Sequence, residues 1–185
     1  KKYKKANRLC EQIASEYAGK PQGERIYYMY GDACYQLKQY SLASYQFERL
    51  QKLYPRSEKA TEASFLEAKS LYLETPKYSV DQTYTYQALE KLQYFLDRYP
   101  NSEYTKEANE LTLDLVTRLE KKDFEIAKQY DKIRDYQAAM KSLDNFLTNN
   151  PGSPFREEAL YTRLHSAYEW AIYSVESKIE ERLST

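Results

Sequence analysis

Glycine and proline are scarce in this chain, with four Gly and six Pro among 185 residues. Gly weakens a helix through backbone entropy, and Pro breaks one by lacking the N–H. So few of either is what a mostly helical chain requires. Histidine and cysteine are scarcer still, at one His and two Cys. Cys10 and Cys34 are too few and too far apart for a zinc site. Net charge is missing as well, because 28 Lys and Arg balance 28 Asp and Glu. A nucleic-acid partner would want a basic face, so none is expected. No apolar run approaches the roughly 20 residues of a membrane span. No signal peptide is visible, since residues 1–5 lead straight into helical pattern.

What the chain does have is one spacing written three times. An Ala is followed four residues later by a large apolar residue, and eight after that by Pro: Ala43–Phe47–Pro55, Ala88–Leu92–Pro100 and Ala139–Leu143–Pro151. A decayed copy opens the chain as Ala6–Cys10–Ala18. This is the spacing of the second helix of a tetratricopeptide (TPR) repeat. The Ala admits a neighbouring helix, the large residue fills the groove, and the Pro ends the helix. The expected fold class is all-α, a TPR helical-hairpin solenoid wound as a right-handed superhelix. Such an array is a binding scaffold whose framework does no chemistry.

The 21 Tyr suit helix seams and interfaces alike, since Tyr packs its ring and keeps its hydroxyl wet. Helical periodicity predicts helices over 3–17, 24–37, 41–54, 58–73, 83–99, 103–133, 137–149 and 155–183. Ala6, Leu9, Cys10, Ile13 and Tyr17 mark the first. Ser57, Ser102 and Ser153 each follow a repeat's Pro by two residues, a stop signal followed by a helix-capping start signal. The key Ala residues lie 37, 45 and 51 apart, against about 34 in a regular TPR. An inserted loop at 74–81 and one long helix over 103–133 account for the excess. That helix carries Ala108, Leu111, Leu115, Leu119, Ile126 and Tyr130 on one side. The organisation expected is a single solenoid fragment over 1–185. It comprises a half repeat at 1–19, repeats at about 24–55, 58–100 and 103–151, and the first helix of a further repeat at 154–183.

These features together resemble a known family. Unequal repeats, the Pro-x-Ser-x-aromatic phrase at 100–104 and 151–155, the long gap-free helix and the loop phrase TPKYSVDQTYTY at 75–86 are similar to the outer-membrane assembly lipoproteins of the BamD (ComL) family. The resemblance covers essentially the whole chain. It implies a periplasmic protein at the inner face of the outer membrane, held by an N-terminal lipid that lies outside this chain. The implied partners are a BamA-like insertase, other subunits of the assembly machine, and unfolded outer-membrane protein segments. Two rivals share parts of the pattern: another periplasmic TPR adaptor, for cell-division or peptidoglycan enzymes, and a TPR interaction domain of a larger protein.

Nothing in the sequence points to catalysis. It has no Gly-rich phosphate loop and no H-E-x-x-H helix, and adjacent acids such as Glu157 and Glu158 point to different helix faces. No enzyme activity and no cofactor are expected. Register instead nominates binding surfaces. Tyr28, Asp32 and Tyr35 recur as Phe65, Lys69 and Tyr72, and again as Tyr161, His165 and Tyr168, each aromatic, polar, aromatic. Lining a groove, they would suit an extended peptide, with Lys69 available for a carboxylate. The last helix adds an apolar stripe of Leu164, Tyr168, Ile172, Val175 and Ile179, flanked by Trp170 and Tyr173. A partner, or a helix beyond this chain, is expected to cover it.

Overall fold

Ala43, Ala88 and Ala139 are all fully buried, and so are Phe47, Leu92 and Leu143 that follow them. The structure is a computed structural model describing residues 2–173 together with Lys178 and Ile179. Its described residues form α1 (Lys2–Ile13), α2 (Pro21–Gln36), α3 (Tyr40–Leu53), α4 (Ala60–Glu74), α5 (Thr83–Arg98), α6 (Thr105–Lys132), α7 (Tyr136–Asn149) and α8 (Arg156–Ile172), with no strand among them. The fold is all-α and built of TPR-like helical hairpins.

Close approach at the Ala43 seam is matched by glycine on the facing helix. A Cβ on Gly31 of α2 would lie 2.6 Å from the Phe47 ring. Hydrogen there lets α2 and α3 meet through that ring. One turn beyond the large residue, Leu50, Phe95 and Phe146 extend the buried row.

The helix ends repeat as faithfully as the cores. Tyr54, Tyr99 and Asn150 donate their N–H to the carbonyls of Leu50, Phe95 and Phe146. The N–H groups of Ser57, Ser102 and Ser153 then return to the carbonyls of Tyr54, Tyr99 and Asn150. Each Ser hydroxyl accepts the N–H two residues on, from Lys59, Tyr104 and Phe155. These serines therefore close a turn one step before the helix. They are not the N-caps expected from sequence: α4 begins at Ala60 and its N-cap Lys59 makes no side-chain cap.

At the other hairpin end, Lys38 and Arg134 adopt left-handed backbone, with φ of 60° and 64°. Gln39 N–H reaches the Cys34 carbonyl and Asp135 N–H reaches that of Tyr130. This is the glycine-type C-cap, built here without glycine.

Several boundaries differ from expectation. The first helix stops at Ile13 rather than running to 17: Glu16, Ala18 and Lys20 donate their N–H three residues back, to Ile13, Ser15 and Tyr17, and the Tyr17 and Lys20 carbonyls accept the Tyr54 hydroxyl at 3.1 and 2.9 Å. The second begins earlier, at Pro21, a residue whose missing N–H costs nothing in a first turn. The last helix ends at Ile172, and beyond Tyr173 most of the expected span lies outside the described residues.

The chain divides into two compact units, Lys1–Leu115 and Val116–Thr185. The first holds two buried clusters, one around Tyr27, Phe47 and Leu50, the other around Phe65, Leu92 and Phe95. The second is built on Phe124, Ala127, Leu143 and Phe146. Helix α6 runs unbroken through 105–132, as its lack of Gly and Pro predicts. Its buried face is not the one expected throughout. Ala108 and Leu115 are buried, whereas Ile126 and Tyr130 are exposed and Phe124 and Ala127 take the core positions. A fixed stripe drifts around a helix this long, so the second unit packs on a different set of residues.

Candidate protein-binding surfaces

In the first unit, α2, α4 and the start of α6 present one face of aromatic and charged side chains. The Tyr28 hydroxyl donates to Glu62 Oε1 at 2.7 Å. Lys59 Nζ sits 2.7 Å from the other Glu62 oxygen and 5.0 Å above the Tyr28 ring. Burial pulls the Glu62 carboxyl upward, but hydrogen bonds from Lys59 and Tyr28 outweigh it and hold the group below its ordinary range. Tyr28 moves the other way. Burial first, then the Glu62 bond and charge, push its phenol well above normal, so it stays a neutral donor.

Further along, Asp32 is half-buried and accepts from Gln36 at 3.3 Å. Tyr35 packs edge-on against Tyr40 with ring centroids 5.6 Å apart. The Tyr72 hydroxyl donates to Asp114 Oδ2 at 2.8 Å. Tyr28, Tyr35 and Tyr72 are thus half-buried: their rings brace the seam and one edge of each stays in water.

Two expected groove residues stand differently. Phe65 is only 2 % exposed and stacks on Tyr104 at 4.8 Å, so it supports the face from beneath and touches no ligand. Its register partner Tyr28 stays half-open because the position facing its ring is filled by Lys59, where Phe65 meets the Tyr104 ring. Lys69 is already paired, with Nζ 2.6 Å from Glu107 Oε1. A ligand carboxylate would have to displace that partner. Asp32, Glu62, Glu107 and Asp114 outnumber Lys59 and Lys69, so the face favours hydrogen-bond donors and cations over anions.

In the second unit, α8 buries a small-residue side, Ala159, Thr162, Ser166 and Ala171. Its opposite side carries Tyr161, Leu164 and Tyr168, exposed by 71 %, 68 % and 54 %, and continues to Ile172 and Tyr173. Trp170 is half-buried beside them. His165 belongs to a polar seam: Nδ1 is 3.0 Å from Asp131 Oδ1, and Ser166 donates to the same oxygen at 2.6 Å. Lys128 pairs with Glu158 along that seam. Val175 lies outside the described residues, and Ile179 is half-buried.

Sequence reasoning missed a charged cluster on the α3–α5 side of the first unit. Lys91 Nζ bridges Glu67 Oε1 at 2.6 Å and Glu48 Oε1 at 3.1 Å, and Gln51 donates to Glu67 Oε2 at 2.6 Å. These lie with Lys52, Tyr94 and Arg98 around an open pocket of about 440 Å³. Lys91 stands three residues after its repeat's Ala, where the other copies have Gln46 and Ser142. That break in the repeat was the available signal. A second pocket, of about 670 Å³, is lined by Pro21, Glu24, Arg25, Tyr28, Met29 and Lys59, at one end of the aromatic face. Among the described residues no group of His, Cys, Asp or Glu is arranged to hold a metal ion. No described helix is long and apolar enough to cross a membrane.

A family model described as "YfiO: Outer membrane lipoprotein" matches residues 1–181. An "Outer membrane protein assembly factor BamD" of Caulobacter vibrioides is 33 % identical over 141 residues, covering 76 % of this chain. The match spans 46 % of that relative, about half its length.

Proposed function

The chain belongs to the YfiO family of outer membrane lipoproteins, and we propose that it is a non-catalytic scaffold of outer-membrane protein assembly. In this reading it works at the periplasmic side of the membrane, tethered through a lipid carried outside residues 1–185. It docks on a BamA-like insertase and helps deliver unfolded outer-membrane protein segments.

The observation that carries the reading is the α8 stripe. Tyr161, Leu164, Tyr168 and Ile172 recur at helical spacing and stay largely exposed. Leaving such side chains wet forgoes about 1.5–3 kcal/mol each relative to burial, so a covering surface is strongly favoured. Tyr is also enriched among the residues that dominate protein interfaces. The insertase would be that cover. The half-buried tyrosines of α2 and α4 would take the substrate segment, with ring edges against its side chains. Sequence similarity to an assembly factor supports a role in outer-membrane protein assembly.

Capture of the periplasmic domains of a BamA-like insertase tests the docking. Leu164→Asp should abolish capture at unchanged helicity, while Glu90→Lys, exposed on α5, should leave it intact. Undiminished capture by Leu164→Asp would place the docking surface elsewhere.

A further inference from the structure

Cys10 and Cys34 are used by neither binding surface, and both are buried in one cluster with Tyr27, Tyr30 and Phe47. We propose that they form an intramolecular disulfide that clasps α1 to α2.

The placement comes from Asn7. Its Nδ2 lies 3.2 Å from Cys34 Sγ, which fixes Cys34 opposite this part of α1. Cys10 is three residues further along the same helix, hence on the same face with a rise of about 4.5 Å. It therefore meets the strip of α2 that holds Tyr30 and Cys34. The electrostatics agree: burial first, then the neighbouring Cys10, push the Cys34 thiol up to about 11. Both thiols are free in this structure, and the arrangement is the reduced partner of the proposed bond.

A clasp here has a physical use. Cys10 is the one buried residue of α1, and Leu9 and Ile13 on the same helix are exposed. A helix with so little buried apolar contact opens readily. Opening exposes the thiols and lets one ionise. That thiolate attacks a disulfide oxidant, expelling one thiol of the oxidant and forming a mixed disulfide. The second cysteine then attacks its own partner's sulfur and releases the other thiol. Two protons and two electrons leave the protein, and the oxidant is reduced to two thiols. An outer membrane location lies beyond the reducing cytosol, where such bonds persist.

The test is equilibration of the full chain in oxidised and reduced glutathione, then alkylation after denaturation and mass spectrometry. The expected product is a monomer lighter by about two daltons with both cysteines protected from alkylator, and a peptide joining Cys10 to Cys34. Its melting temperature should exceed that of the reduced chain by several degrees. Cys10→Ala should abolish both the mass change and the redox-dependent shift. Cys34→Ser, a change at the more deeply buried site, should do the same if it folds. Two alkylated thiols in every buffer would overturn the proposal. So would a bond formed only between chains, or an oxidised product with reduced helicity.

Discussion

Lys91 Nζ lies 2.6 Å from Glu67 Oε1, a deeply buried carboxylate of the first unit. Glu67 has 5 % of its side chain exposed, Lys91 34 %. Such a pair contributes little by existing, because Glu67 lost nearly all its water and Lys91 part of its own. Breaking it is another matter. Lys91→Met leaves the carboxylate with the Gln51 amide but no facing charge and should cost about 1–3 kcal/mol in urea unfolding. Lys91→Met combined with Glu67→Met should recover most of that loss. A loss below about 1 kcal/mol for the single variant would mean that Gln51 alone satisfies Glu67.

The same residue gives a pH signature. Burial holds the Glu67 carboxyl above its ordinary value, against the pull of Lys91 and Gln51. The folded chain therefore binds this proton more tightly than the unfolded chain. The contribution is full below the unfolded pKa and is lost as pH rises through the raised folded value. Glu48 and Glu62 have the opposite sign, since both sit below their ordinary value; their contribution is present above the unfolded pKa and disappears as pH falls through the folded one. Glu67→Gln should therefore gain stability relative to wild type as pH climbs from the ordinary Glu range through the window above it. Unfolding curves at a series of pH values check the sign, and a flat difference would refute it.

Overpacking tests the repeat register. Ala88 is fully buried between helices, whereas Glu90 on the same helix is exposed. Ala88→Leu should cost roughly 1–3 kcal/mol and Glu90→Leu should be near neutral. Thermal melts of the two variants decide it.

The left-handed caps at Lys38 and Arg134 offer a gain instead. A side chain in that conformation costs roughly 1 kcal/mol, which glycine avoids. Arg134→Gly should raise stability by up to about 1 kcal/mol, less the added freedom of the unfolded chain. Lys38→Gly should act in the same direction, and additively, since the two caps sit in separate units. Urea unfolding of each variant and of the double variant measures both the gain and its additivity.

On the aromatic face, the Tyr28 hydroxyl is already satisfied by Glu62. Tyr28→Phe should leave binding of an extended aromatic-rich peptide nearly unchanged, while Tyr28→Ala should weaken it about tenfold or more. Fluorescence titration separates the two, and an equal loss for both would show that the hydroxyl, not the ring, meets the ligand.

Much of this molecule was legible in the sequence because its signals are local. A helix's period, a Pro that stops it and an Ala that must be small are set within a few residues of chain. Those signals determined the all-α hairpin fold, the buried rows after Ala43, Ala88 and Ala139, and the unbroken run of α6. Register also located the faces of Tyr28, Tyr72 and Tyr161. Exposure within those faces was decided by residues far off in the chain. Phe65 sank because Tyr104 stacks on it, and Lys69 was neutralised by Glu107, a partner on another helix. Ile126 lost its core place to Phe124, because packing in the second unit chose a different side of one long helix. The Lys91 cluster joins three helices, and Lys91 breaks the repeat on its own helix without naming its partners Glu48 and Glu67 on the other two. Secondary structure here follows from periodicity, which the chain carries in itself. Burial and charge pairing follow from which helices meet, and that exists only once the chain has folded.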